Sequence, residues 1–300
     1  MPQSQSLMTT RRGEFRELYR RLKRNRPAFE ATPVVFCEGD SWFSTPLAMN
    51  LLDWLVWPAP DVETRGVPLF GAGGLFFRTE DSGDLATDMF STRGVRDLAG
   101  WYGTFAFDLV LVSAGGNDFV DAFLQRLFKG IRATDVANAF DRVVASGRYE
   151  EVRDAYARFI QAFQAIRPAT PILAHTYDYP QRMGQPAVLT LGNIGAAALL
   201  KQGMGPWIGN RIAHVLPDAA DQRLFARRLI DGFVERVLVP LRDDPGTGRV
   251  FDFIDLRGSL PNASQWFDEM HPTGAGFAEL ATKYRRGMRA KLSITLGPSV

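Results

Sequence analysis

The sequence predicts an α/β fold in which a mostly parallel, five-stranded sheet lies between two layers of helices. Three observations carry this expectation. Short apolar runs recur between longer stretches of helical periodicity. The runs are apolar throughout instead of alternating, as strands covered on both faces must be. The chain of 300 residues, 46% hydrophobic and 12% aromatic, is long enough for one large core.

At the N-terminal end, residues 11–26 place Phe15, Leu18, Tyr19 and Leu22 three and four apart, along one side of a helix whose other sides carry eight Arg or Lys. This reads as a packed helix with a solvated basic face, with docking on phosphate or a membrane surface as the alternative. Residues 1–30 are therefore taken as a helical extension and 31–295 as a single domain. "PVVFC" (33–37) is the first strand, and "AMNLLDWLV" after it is helical. "ETRGVPLF" (63–70) is the weaker second strand, because its glycine and proline interrupt a ladder. "FDLVLVS" (107–113) is the third, followed by amphipathic 117–128 and the helices "DVANAFDRVV" and "EEVRDAYARFIQAFQAIR". "TPILAHT" (170–176) and "RVFDFID" (249–255) are the last two strands, and "AGFAELATKYRRGMRAKL" is the closing helix. Between those strands, residues 177–232 far exceed the dozen or so residues that a crossover needs. They read as an insertion, of the kind that forms lids or binding loops, with the apolar stretch 187–200 and Trp207 as its candidate roof.

Charge and cysteine usage exclude several classes. With 35 basic against 33 acidic residues the net charge is +2, too small a field to imply a specific nucleic-acid partner. The single cysteine, Cys37, excludes an intrachain disulfide framework and a thiolate metal site, and its place in an apolar run makes it a core residue. The first residues hold no apolar signal core and no cleavage site, and no apolar run reaches the length of a membrane span. The expectation is a soluble, cytoplasmic protein. No His-x-His or His-Glu-x-x-His pattern is present, so neither a metal nor an organic cofactor is expected.

Chemistry concentrates where strands end, since open α/β sheets bind ligands at their carboxyl edge. "VVFCEGDSWFSTP" breaks from strand into Gly39-Asp40-Ser41. Here the glycine reads as permitting a tight path, and a helix starting near Pro46 would aim its N–H groups at the serine. "LVLVSAGGNDFVDAF" ends another strand in Gly115-Gly116-Asn117-Asp118, whose asparagine amide could donate to an anionic oxygen. In "WFDEMHPTGAGF", Asp268 precedes His271 by three residues and can hold its Nδ1–H, leaving Nε2 as a base. For each of the first two blocks, plain helix capping is the competing explanation.

Together these segments resemble the SGNH (GDSL-type) hydrolase superfamily, in block order and over residues 33 to about 290. The resemblance implies a flavodoxin-like three-layer sandwich and acyl transfer to water, with a small-molecule or lipid ester as substrate. Ser41 is then the nucleophile, His271 the general base, and Asp268 the carboxylate that orients it. The oxyanion hole comes from the backbone N–H of Ser41, the Asn117 amide and the N–H of a glycine. Gly83 in "EDSGDLATDMFS" is preferred for that glycine over Gly71, Gly73 or Gly74 in "FGAGGLFF". Trp42 stands where the family has leucine and reads as a pocket residue. A carbohydrate O-deacetylase would share every catalytic residue, and a binding protein that keeps the fold without turnover is the other class. His175 is assigned either to the crevice, with Tyr177 and Asp178, or to structure, and His214 to the surface. Asp252 and Asp255 compete less well than Asp268 as the orienting acid.

Overall fold

The computed structural model describes residues 7–9, 12–45, 49–56, 74–185, 187 and 205–296. Six strands, β1 (Leu7–Thr9), β2 (Val34–Gly39), β3 (Leu75–Arg78), β4 (Leu109–Ser113), β5 (Ile172–His175) and β6 (Phe251–Ile254), form one sheet in the order β1-β3-β2-β4-β5-β6. Every neighbouring pair is parallel. The five strands from β2 onward make the expected sheet. β1 is an unanticipated sixth at its edge, three residues being too few to show a period. The suggested strand at 63–70 lies outside the described residues, and β3 stands in its place in the sheet.

Helices cover both faces. One layer pairs Leu51–Val56 with Gly274–Leu296, and the other joins Thr92–Tyr102, Arg148–Ile166 and the π-helical turn Val234–Leu238. Since β2 and β4 meet helices on either side, all of their residues are buried, which is why their sequences are apolar without alternation. Phe36 of β2, for example, packs edge-on against Tyr102 and Phe163 of the second layer.

The basic helix, Arg12–Lys23, docks through its aromatic stripe. Phe15 is fully buried, with its ring 4.8 Å from Phe77 and 4.9 Å from Phe105. Arg16, Arg20, Arg21 and Lys23 are exposed on the other sides of the helix. The helix stops at Lys23 because Asn25 caps a new one, Arg26–Glu30, whose early proline needs no N–H partner.

Topology now fixes where a ligand can sit. β2 has its sequence successor β3 on one side and β4 on the other, so the strand order reverses between β2 and β4 and opens a crevice at their carboxyl ends. Gly39 closes β2 against β4. A Cβ there would lie 2.6 Å from the Ser113 carbonyl, which accepts a hydrogen bond from the Asp40 N–H at 2.7 Å. The glycine of the Gly-Asp-Ser block is thus required by the close approach of β4, and not by a tight turn as its sequence context suggests.

Candidate active site

Ser41 opens a single helical turn, Ser41–Ser44, directly after β2. A helical turn therefore begins at the serine itself, and Pro46, near which a helix start was expected, lies outside the described residues. Asp40 is its cap, accepting from the Trp42 N–H at 3.1 Å. Capping was the plain alternative for this triplet, and Asp40 does cap, yet the serine hydroxyl has a separate engagement. Its Oγ lies 2.8 Å from His271 Nε2, across 230 positions of sequence.

On the far side of the ring, His271 Nδ1 lies 2.9 Å from Asp268 Oδ2 and 3.1 Å from Oδ1. Asp268 also accepts from the backbone N–H groups of Met270 and His271, both at 2.7 Å. One carboxylate thus shapes the loop and orients the imidazole, which is what a spacing of three residues allows. Because Nδ1 faces a carboxylate it carries the proton, and Nε2 presents its lone pair to the serine O–H. Ser41, Asp268 and His271 are buried but not sealed, with exposures of 7%, 1% and 9%. Asp252 pairs with Lys291 at 2.6 Å and Asp255 with Arg257 at 2.7 Å, so both are engaged elsewhere.

No protein-family model matches the sequence, and no curated protein matches it. Solved structures do match. The lipase Lip_vut3 from a goat rumen metagenome overlays with a TM-score of 0.51 at 12% identity, over 85% of this chain and 97% of that one. The chain shares the three-layer α/β/α fold of that lipase. Two further structures overlap at lower scores. An extracellular lipase from Streptomyces rimosus gives a TM-score of 0.46 at 14% identity, over 87% of this chain and 100% of that one. A carbohydrate esterase family 3 protein from Talaromyces cellulolyticus gives 0.46 at 13%, over 88% and 99%.

Within this fold the third block ties two loops together. The Asn117 amide donates to the Asp84 carbonyl at 3.0 Å, using one of its two N–H groups. Asp118 accepts from the Ala86 N–H at 2.7 Å and the Thr87 hydroxyl at 2.8 Å, capping the helix that follows. Gly83 therefore sits in a loop fastened to Asn117, beyond the carboxyl end of β3. Gly74 precedes β3, at the opposite edge of the sheet from Ser41 and Asn117. Gly71 and Gly73 lie outside the described residues. Gly115, at φ 108°, occupies a conformation that L side chains rarely adopt, and a Cβ there would meet the Phe233 ring at 2.7 Å.

Several contacts left no mark that sequence reading could use, even where their residues had been singled out. Trp42 stacks on His175, and its Nε1–H donates to the Met270 carbonyl at 3.0 Å, so the residue after the serine fastens the histidine loop. The Asp40 carboxylate accepts from Ser113 at 2.8 Å and from the Tyr177 hydroxyl. Glu269, fully buried, accepts from the N–H groups of Gly184, Ile208 and Gly209 at 2.8, 2.6 and 2.7 Å. It thereby pins two parts of the insertion beside the histidine. Trp207, next to this clamp, points edge-on at His271 with centroids 5.5 Å apart. The segment 188–200 is outside the described residues, so the roof idea bears only on Trp207. Only tertiary pairing reveals these roles, since Glu269 and Tyr177 follow no motif spacing.

Burial opposes charge on His271, but the Asp268 carboxylate, by charge and hydrogen bond, and the more distant Asp40 hold its pKa above the ordinary value. Burial pushes the Asp40 carboxyl up to about 6 against the hydrogen bonds that it accepts. His175 is different. Burial pulls it down to about 4, and its Nδ1–H donates to the Thr176 carbonyl, making it a neutral core residue. His214 is exposed. Cys37 is fully buried, and burial drives its thiol pKa well up. Among the described residues no cluster of His, Cys, Asp and Glu could hold a metal, and no helix is long and apolar enough to cross a membrane.

Proposed function

We propose that the protein hydrolyses carboxylic esters, with Ser41 as nucleophile, His271 as general base and then acid, and Asp268 as the orienting carboxylate. The observation that carries this reading is the continuous hydrogen-bonded line from Ser41 Oγ through both ring nitrogens to Asp268, with the serine at the strand-order reversal. His271 Nε2 takes the hydroxyl proton as Oγ bonds to the ester carbonyl carbon, and Asp268 stabilises the imidazolium that results. The carbonyl electron pair moves onto oxygen. When it returns, the C–O bond to the alcohol breaks and the alcohol leaves with the proton from Nε2. Water then repeats the sequence on the acyl-serine, releasing the acid and restoring Ser41.

The oxyanion of each tetrahedral intermediate is assigned to the N–H groups of Ser41 and Gly83 and to the Asn117 amide. Ser41 is the first residue of a helical turn, where N–H groups lack an intrahelical acceptor. The fastening of the Gly83 loop to Asn117 supports the other two donors. Asn117→Ala is expected to lower kcat by about 10²- to 10³-fold with little change in KM. Stopped-assay kinetics on a p-nitrophenyl ester read the split, and an unchanged kcat would remove Asn117 from the hole.

A small fluorophosphonate tests the nucleophile directly, and mass spectrometry should place the label on Ser41. The pH profile tests the base. Since the neutral imidazole is the active form and its pKa is raised above 6.5, kcat/KM should fall tenfold per pH unit below a midpoint higher than 6.5. An acidic limb centred well below that value would argue against His271.

A further inference from the structure

The outer side of the helix Arg12–Lys23 is a charged surface that neither the core nor the catalytic groups use. Arg16, Arg20, Arg21, Lys23 and, one position past the helix, Arg24 are all exposed. Among the described residues none of these five forms an ion pair, whereas Arg26, two positions further on, pairs with Glu30 at 2.7 Å. Arg16, Arg20 and Arg24 recur every four positions and so make a row about 12 Å long, with Arg21 and Lys23 to either side. Gly13 adds no side chain there, and a trough of about 460 Å³ runs along the row, with Glu17 as the acid among four arginines. We infer that this face docks the protein on an anionic lipid surface. The inference stands apart from the ester-hydrolase reading, because the helix covers the β1–β3 flank of the sheet and Ser41 sits where β2 meets β4.

Charge complementarity carries the choice of partner. Residues 12–24 hold six basic and two acidic side chains, a surplus of four in a chain whose whole surplus is two. The rest of the molecule is therefore slightly acidic, and its field turns this one face toward a negative surface. Two features favour lipid over nucleic acid. The rings of the helix, Phe15 and Tyr19, are buried in the body, so neither is presented on this face for a base to stack on. With its apolar stripe spent on the core, the helix also lies flush, whereas reading a duplex groove takes an element that projects into it. Mobile headgroups can gather under a row of guanidinium groups without any such fit. For the same reason the attraction is electrostatic and reversible, with no apolar side to sink into the acyl layer.

The test is sedimentation of the full chain with vesicles of phosphatidylcholine, alone or mixed with phosphatidylserine. Binding is expected to the mixed vesicles only, and it should be lost toward 1 M salt, where the Debye length shrinks to about 3 Å. Each Arg or Lys beside an anionic leaflet is worth about a fivefold gain in partitioning, so Arg16→Gln, Arg20→Gln and Arg24→Gln together should lower it about 10²-fold. Circular dichroism should not change, since all three side chains are exposed. Should that variant fail to fold, Arg21→Gln with Lys23→Gln removes two charges and is expected to cost about 30-fold. Equal binding to both kinds of vesicle, no binding to the mixed ones at low salt, or folded variants that partition like the native protein would each overturn the docking. Tighter binding of a DNA duplex than of mixed vesicles in the same buffer, lost in the same variant, would assign the face to nucleic acid and overturn the lipid reading. None of these outcomes touches the hydrolase reading, which the labelling of Ser41 tests separately.

Discussion

Ser41→Ala is expected to lower kcat by on the order of 10⁶-fold, because nucleophile and base act as a unit and neither retains the reaction alone. The loss should be chemical and not structural. The cap of the turn belongs to Asp40, whose carboxylate holds the Trp42 N–H, while the serine hydroxyl is bonded to His271. The variant should therefore show native circular dichroism and a cooperative thermal transition. Single-turnover assays with a chromogenic ester would read the loss, and a residual rate above one part in a thousand would remove Ser41 from the mechanism.

Asp268→Asn should cost about 10⁴-fold in kcat, for a reason that the local geometry makes specific. The amide oxygen of the variant can keep the two backbone hydrogen bonds that shape the loop, those from Met270 and His271. Its NH₂ group then faces Nδ1, where a second donor cannot stand opposite an N–H. The imidazole must switch tautomer, placing its proton on Nε2 and its lone pair toward the new amide, so nothing is left to accept the serine proton. The fold should persist, and the ring's nitrogen chemical shifts should report the exchanged tautomer. Retained turnover with an unchanged tautomer would point to another carboxylate as the partner.

The strands were legible because a parallel strand buried on both faces writes an unbroken apolar run, as β2 and β4 do. β1 was not, being three residues long, and the strand expected at 63–70 lies outside the described residues. Ser41 and Asn117 were legible because each sits within a few residues of a strand end, and Asp268 and His271 because a spacing of three lets the carboxylate reach the ring. Gly39 was visible as a glycine but misread in its cause, since the atom that forbids a side chain belongs to Ser113, more than seventy positions away. The partners of Glu269, Tyr177 and the Trp42 indole lay beyond reach for the same reason. Their partners are backbone groups and rings from distant segments, and nothing local distinguishes a buried glutamate that clamps a loop from one that faces water.

The indole of Trp42 has its own consequence. Ser41 arrives with an early strand, His271 with the last loop, and the Trp42–Met270 bond is a bolt between them that can be drawn only when both are in place. Under the proposed mechanism, a nascent or truncated chain that ends before that loop would carry a serine with no base and be inert toward esters. Turnover is thus an assay of completed assembly, and it should vanish on partial unfolding of the final helix before most of the sheet has melted.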